Sequence, residues 1–340
     1  MPPSEPGWWY AEQPGSMARA LAPVAALWGL AARRRLASAP RYRPKVPVLC
    51  AGNFTAGGTG KTPLALHLGH LLHEAGERPG FLSRGYGGTL RGPVRVDPER
   101  HGTAEVGDEP LLLAAAAMAV VARDRAAGAV DLEQRGASVI VMDDGLQNPQ
   151  IAKDLTFAVV DGERGIGNGE VMPAGPLRAP LASQLAITDA IVIMQGSSPQ
   201  APFVGDLRSR FPGPVLEGTL APAEDTAWLA GVPVVAYAGI GRPAKLFASL
   251  DELGARLVER VSFPDHHRFS EADARRLLAL ASRHDAMLVT TAKDRIRLAG
   301  AQGVLAELRE SSRVLPVRLT LKPGDDERLL ALVQGVLRKA

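Results

Sequence analysis

GNFTAGGTGKTP, spanning Gly52–Pro63, decides how the chain is read. An apolar run, Val46–Ala51, precedes it, and a helical pattern, Thr62–Ala75, follows it. Strand, glycine-rich turn and helix in that order form the setting of a phosphate-binding loop. Glycines let successive backbone N–H groups turn toward an anion without Cβ clashes, and the helix N-terminus adds the positive end of its dipole. The strict pattern G-x-x-x-x-G-K-S/T wants glycine at position 55, where this chain has Thr55. The rest of the loop, Ala56, Gly57, Gly58, Thr59, Gly60, Lys61 and Thr62, keeps the pattern. In such a loop Lys61 reaches the β- and γ-phosphates and the Thr62 hydroxyl binds Mg²⁺.

Outward from the loop, strand and helix signals alternate. RPGFLSRGYGG (Arg78–Gly88) reads as a strand leaving into a glycine-rich loop, and Glu109–Ala127 as an alanine-rich helix. SVIVM (Ser138–Met142), TFAVV (Thr156–Val160) and AIVIM (Ala190–Met194) are continuous apolar runs, the pattern of strands buried on both faces. The expected architecture is therefore α/β: a P-loop NTPase-like, mostly parallel sheet with helices on both faces. A second series begins near Pro233. It has strands at PVVAYAGIG, LVERVSF and AMLVTT, a helix over Pro243–Leu253, and a helix over Glu271–Ser282 with Ser270 as N-cap. The expected division is an N-terminal arm over 1–45, a P-loop domain over 46–225 and a smaller α/β domain over 226–340, whose C-terminal helix packs back on the first. GSSPQAPFVGD (Gly196–Asp206) reads as part of the join.

Composition narrows the class. The 340 residues are 46% apolar, enough to fill a sizeable core, which excludes wholesale disorder. A net charge of +3 lacks the clustered excess of a nucleic-acid binder. Cys50, the one cysteine, excludes an internal disulfide and a cysteine-rich zinc site, and its apolar run makes it a core thiol. The longest apolar stretch, Ala20–Ala32, carries Pro23 and falls short of the roughly 20 residues of a spanning helix. It does not read as a signal peptide, because Glu5 and Glu12 precede it and Arg33–Arg35 follow it. Leu21, Val24, Ala25, Trp28 and Ala32 share one helical face. That face fits a helix lying in a membrane interface or one packed on the domain.

Other residues suit phosphoryl chemistry. Asp143 and Asp144 end an apolar strand, where a P-loop protein holds a carboxylate for the magnesium shell. A turn-forming Asp-Gly is the plainer reading of the same residues. Asp108, in VGDEP, is either a helix N-cap or a general base for a hydroxyl. In FPDHHRF (Phe263–Phe269), Asp265 stands next to His266, an orienting pair or a solvated loop. His67, His70 and His73 lack zinc spacing and read as structural. TTAKD (Thr290–Asp294) is near the guanine-reading motif of GTPases, but Lys293 and Asp294 are adjacent where that motif separates them by one residue.

Taken in order, GNFTAGGTGKTP, SRGYGG (Ser83–Gly88), GDEP (Gly107–Pro110), DDGLQ (Asp143–Gln147), GNGEVMPAGPLR (Gly167–Arg178), AGIGRP (Ala238–Pro243), FPDHH and TAKD resemble the tetraacyldisaccharide 4′-kinase family of lipid A biosynthesis. The resemblance runs to about residue 320. It implies two α/β/α domains with ATP and substrate meeting between them. It implies transfer of the ATP γ-phosphate to the 4′-hydroxyl of a tetraacylated glucosamine disaccharide 1-phosphate, at the cytoplasmic face of a bacterial inner membrane, with the N-terminal helix as a peripheral contact. It places the P-loop on Thr55–Thr62, the acidic pair on Asp143 and Asp144, the base on Asp108, and its assistant on His266 in preference to His267. Arg178 becomes a candidate for contacting a phosphate. The chain departs from the family pattern at Ala179, where glutamate is expected, at Asn148 in place of histidine, and at Ala292 in place of glutamate. A P-loop switch or metallochaperone and a soluble small-molecule kinase are the alternatives; the first lacks its base-reading motif, and the second leaves the Trp28–Arg35 helix without a purpose.

Overall fold

The computed structural model describes residues 5–196 and 199–339. A long helix, α1 (Ser16–Leu36), leads into β1 (Val48–Asn53), α2 (Lys61–Glu74), β2 (Pro79–Ser83), β3 (Val94–Arg95), α3 (Thr103–Val106), α4 (Asp108–Ala116) and β4 (Met118–Val121). There follow α5 (Arg125–Gln134), β5 (Val139–Asp143), β6 (Leu155–Asp161), α6 (Leu181–Leu185), β7 (Ala190–Met194), α7 (Pro202–Arg210) and β8 (Val215–Pro222). The second series is β9 (Pro233–Ala238), α8 (Pro243–Glu252), β10 (Arg256–Ser262), α9 (Glu271–His284), β11 (Met287–Thr290), α10 (Ala292–Arg297), α11 (Val304–Ser311) and β12 (Ser312–Val314). The chain closes with β13 (Val317–Leu321) and α12 (Asp325–Leu337).

Among the described residues these strands build two sheets. The large one runs β13-β8-β7-β6-β1-β5-β2-β4-β3, parallel except at its two edges, where β3 and β13 pair antiparallel. The small one runs β10-β9-β11-β12 and is parallel throughout. Strands β1, β5, β6 and β7 are buried at every position, because helices cover both faces and water reaches neither. The chain passes from β5 on one side of β1 to β6 on the other. The C-terminal end of β1 therefore sits at the topological switch point, where open α/β sheets form their binding crevice. After the small sheet, β13 returns to the large one, and Leu319, Leu321, Leu329 and Val333 join the core around Leu49, Leu64 and Leu68.

Two sequence expectations need correction. The alanine-rich segment Glu109–Ala127 is not one helix: α4 stops at Ala116 and β4 follows. Val120 and Val121 pair with Leu82 and Ser83 and are fully buried, so strand burial overrides the helix preference of the alanines. Gly196–Asp206 does not join the two units; its Pro202–Asp206 portion lies in α7, the crossover between parallel β7 and β8, while Ser197 and Ser198 lie outside the described residues. On α1 the buried face is Ala18, Ala25 and Gly29, whereas Val24 and Trp28 are more than half exposed. Ala18 and Ala25 cluster with Ala174, and a Cβ on Gly29 would make an ordinary contact with Pro180 at 3.5 Å. The Ser270 N-cap forms a capping box, its hydroxyl accepting from the Asp273 amide while that carboxylate accepts from the Ser270 amide at 2.9 Å.

Candidate active site

The loop between β1 and α2 takes its shape from two glycines. Gly57 has φ 101° and Gly60 φ 98°, left-handed conformations that a side chain would strain. Thr55 needs no glycine, because its φ lies outside that region and it bridges antiparallel to Leu177. The PAGPLR segment (Pro173–Arg178) zips onto the loop: the Ala56 amide donates to the Pro176 carbonyl at 2.8 Å, and Arg178 Nε donates to the Thr55 carbonyl at 2.9 Å.

Asp143 and Asp144 point different ways. Asp143 ends β5, in register with Ala51 of β1, and its Oδ2 accepts from the Thr62 hydroxyl at 3.4 Å. Its Oδ1 is buried without a hydrogen-bond partner, and burial together with the nearby Glu109 carboxylate pushes its pKa up to about 7. A divalent cation bound by a threonine hydroxyl, one carboxylate and phosphate oxygens fits this pair. Asp144 faces Lys61, 3.7 Å away, and Arg178, at 2.7 Å. Burial alone would raise its pKa, but Lys61 and Arg178 hold it well below the usual carboxylate range. Arg178 thus spends Nε and Nη1 bracing the loop and Asp144, a different placement from the open phosphate contact expected of it.

Asp108 opens α4 directly after Gly107, whose φ is 88°. It is not the N-cap: its Oδ1 accepts from the Glu109 amide at 3.0 Å and its Oδ2 faces the second domain. There His266 Nδ1 stands at 3.2 Å and Arg297 Nε at 3.0 Å, with Arg297 Nη2 on the same oxygen. A carboxylate only accepts, so Nδ1 carries the proton, while Nε2 stands 3.7 Å from Asp265 Oδ2. Burial works against the Asp108 charge, yet His266, Lys293 and Arg297 hold its pKa far below the usual range. The bond to Asp108 raises the His266 pKa. His266 has φ 57°, a left-handed position fixed by its amide donating to the Gly239 carbonyl at 3.1 Å. His267 turns away, 3.0 Å from Asp273 and stacked on Phe263.

Further ion pairs tie the two domains around this site. Arg242 and Lys245 reach Asp161 at the end of β6, at 2.7 and 2.9 Å, and Arg242 also pairs with Glu163. Lys293 meets Glu109 at 2.9 Å. A Cβ on Gly241 would lie 3.3 Å from Asp265 and 3.8 Å from the Gly58 amide, so the second domain borders the phosphate loop directly. Sequence reasoning missed Arg297, Lys293, Glu109, Arg242 and Lys245. TAKD and AGIGRP had flagged their neighbourhoods, but salt-bridge partners 79 to 189 positions away leave no local signal. The three departures are accommodated. Ala179 is fully buried with its carbonyl taken by Gln184 at 2.8 Å, Asn148 caps the turn to Gln150 at 2.8 Å, and Ala292 opens α10. Among the described residues no cluster of three or more His, Cys, Asp or Glu is arranged to hold a metal.

A phosphate loop at the switch point, a carboxylate on its threonine, and a carboxylate met by an imidazole from the small-sheet unit define a P-loop kinase. The model of the tetraacyldisaccharide-1-P 4′-kinase family matches residues 17–337, and the chain belongs to that family. It is 51% identical over 334 residues to the tetraacyldisaccharide 4′-kinase of Methylobacterium sp. (strain 4-46), covering 98% of each chain. It is 51% identical over 333 residues to that of Rhodospirillum centenum (strain ATCC 51521 / SW), covering 96% of this chain and 95% of the other. Its fold is similar to the crystal structure of LpxK from Aquifex aeolicus in complex with ATP, with a TM-score of 0.71 at 24% identity over 94% of this chain and 99% of that one.

Proposed function

We propose that the chain moves the γ-phosphate of ATP to the 4′-hydroxyl of an acylated glucosamine disaccharide 1-phosphate, and that Asp108 and His266 together receive the hydroxyl proton. The observation that carries this is the 3.2 Å contact between them, made across two domains beside the phosphate loop. Lys61 and the amides of Gly57–Thr62 would hold the β- and γ-phosphates. Thr62 and Asp143 would hold Mg²⁺, which when bound supplies charge neutralisation at the phosphates. The family resemblance puts the base on Asp108. The electrostatics support the opposite division: Asp108 is held too acidic to accept a proton well, whereas His266 is raised in pKa and its Nε2, 3.7 Å from Asp265, carries no proton when the ring is neutral. Nε2 takes the proton, the sugar oxygen bonds to the γ-phosphorus, the bond from that phosphorus to the bridging oxygen breaks, and ADP leaves. A pair completed only when two domains meet also limits transfer to water.

The lipid acceptor accounts for α1. No helix among the described residues is long and apolar enough to cross a membrane. Yet Met17, Val24, Leu27 and Trp28 are all more than half exposed on α1, with Arg33–Arg35 in its last turn. An apolar stripe beside cations suits a helix lying on an anionic surface, here the cytoplasmic face of the bacterial inner membrane. Trp28 Nε1 donates to the Arg178 carbonyl at 3.2 Å, linking that helix to the residue that braces the phosphate loop. Incubation with γ-labelled ATP and the disaccharide lipid in mixed micelles tests the reading. Label recovered in the lipid at the 4′-position supports it; release of labelled inorganic phosphate with unmodified lipid refutes it.

A further inference from the structure

We propose that Arg297 is a positioning residue for the proton acceptor: from the second domain its guanidinium fixes the Asp108 carboxylate so that Oδ2 receives the His266 Nδ1 proton. This rests on the proton-acceptor reading above. Arg297 ends α10, and its side chain and that of Asp108 are each only 4% exposed. Nε and Nη2 both reach Asp108 Oδ2, while Nη1 reaches Asp294 Oδ1 at 2.8 Å. Asp294 is itself fully buried and anchored by the Gly239 amide at 3.1 Å and the Thr291 hydroxyl at 2.7 Å. The Gly239 carbonyl in turn accepts from the His266 amide. Arg297, Asp294, Gly239 and His266 are therefore one hydrogen-bonded frame of the second domain, into which Asp108 is inserted from the first.

The frame has two consequences. A planar fork holding one carboxylate oxygen leaves it little freedom to turn, so the Asp108–His266 distance is set by Arg297 rather than by the short helix that carries Asp108. The guanidinium also keeps a buried carboxylate ionised that would otherwise take up a proton. The charged and titratable groups around His266 are Asp108 and Glu109 on α4, Lys293 and Arg297 on α10, Asp265 on its own loop, and Tyr86, whose ring lies 5.5 Å away. Removing the Arg297 charge favours the protonated forms of both Asp108 and His266. Whichever of the two accepts the proton, the acid limb of kcat then moves to higher pH.

The test uses the full-length Arg297→Gln and Arg297→Lys proteins, assayed with ATP and the lipid across the pH range in which histidine and carboxylates titrate. For Arg297→Gln, kcat should fall by roughly tenfold or more, since small misplacements of a catalytic group are costly. KM for ATP should stay close to wild type, and the acid limb should rise by about one unit. Arg297→Lys should return the limb toward its wild-type position while kcat remains reduced, because an ammonium keeps the charge but not the fork. An unshifted limb in Arg297→Gln would overturn the proposal, since an ion pair that serves only folding changes the active fraction and not the pH profile. If Arg297→Gln fails to fold, Arg297→Lys decides: reduced kcat with unchanged ATP KM supports the proposal and wild-type kcat overturns it. Absence of lipid phosphorylation by the wild-type protein would instead refute the kinase reading, so the two failures are told apart.

Discussion

His266 Nδ1 stands 3.2 Å from Asp108 Oδ2, a contact between residues 158 positions apart that lie in different domains. The bond raises the His266 pKa above its ordinary 6.5 and accompanies an Asp108 pKa held below its ordinary 3.8. His266 must be neutral at Nε2 to accept a proton, so kcat should rise with pH through an inflection above 6.5. Asp108→Asn, which removes the main cause of that shift, should move the inflection down. The stability signs differ between partners. The raised histidine contributes fully below its unfolded pKa, and the contribution is lost as pH rises through the folded value. The depressed carboxylate contributes above its unfolded pKa and loses that as pH falls through the folded value. Denaturant unfolding followed against pH should therefore show the pair's contribution largest in the window between the two ordinary values and fading on either side.

Lys61→Ala should leave the fold intact and remove turnover. The ammonium sits at the start of α2 within 3.7 Å of Asp144, ready to offset developing phosphate charge. Loss of such a contact costs on the order of 10²–10³ in kcat. Steady-state kinetics beside a thermal melt check this; a rate within tenfold of wild type would remove Lys61 from the transfer step.

Exposure on α1 separates membrane contact from packing. Val24 is 54% and Leu27 71% exposed, and neither belongs to the buried face. The double variant Val24→Asp, Leu27→Asp should lower sedimentation with anionic liposomes and raise KM for the lipid, with KM for ATP and the melting temperature nearly unchanged. Equal partitioning of the two proteins would assign the stripe no membrane role.

Gly52 lets the start of the phosphate loop lie directly on the turn after β5. A Cβ there would lie 2.4 Å from Leu146 Cβ and 2.9 Å from the Leu146 amide, so the turn after β5 has to move. Gly52→Ala should cost about 1–3 kcal/mol, as overpacking of a tight interior does. Denaturant titration measures it, and the activity loss should exceed what the folded fraction explains, because Leu146 follows the acidic pair.

The large sheet was legible because its signals are local: buried parallel strands are continuous apolar runs, and the phosphate loop is a contiguous motif with two glycines at positive φ. The Glu109–Ala127 segment misled because alanine favours helix locally while the pairing of Val120 and Val121 with β2 depends on residues nearly forty positions earlier. On α1 periodicity groups the apolar residues of one face, whereas the buried contacts are made by Ala18, Ala25 and Gly29, a distinction that only the folded neighbours reveal. At the site, Asp108 and His266 were singled out through motifs, whereas Arg297 and Lys293 meet partners 189 and 184 positions away. The bonds of Arg178 to Asp144 and to the Thr55 carbonyl leave no trace in the sequence, because they exist only in the folded chain.

The most direct test of two domains sharing one proton acceptor is a double-mutant cycle on kcat for lipid phosphorylation at saturating ATP. Asp108→Ala and His266→Ala should each lower kcat by roughly 10²–10⁴. Groups that act as a unit are not additive, so the double variant should be little slower than the worse single one, with ATP affinity nearly constant across all four proteins. Full additivity of the two losses, or a wild-type rate in either single variant, would contradict the shared acceptor.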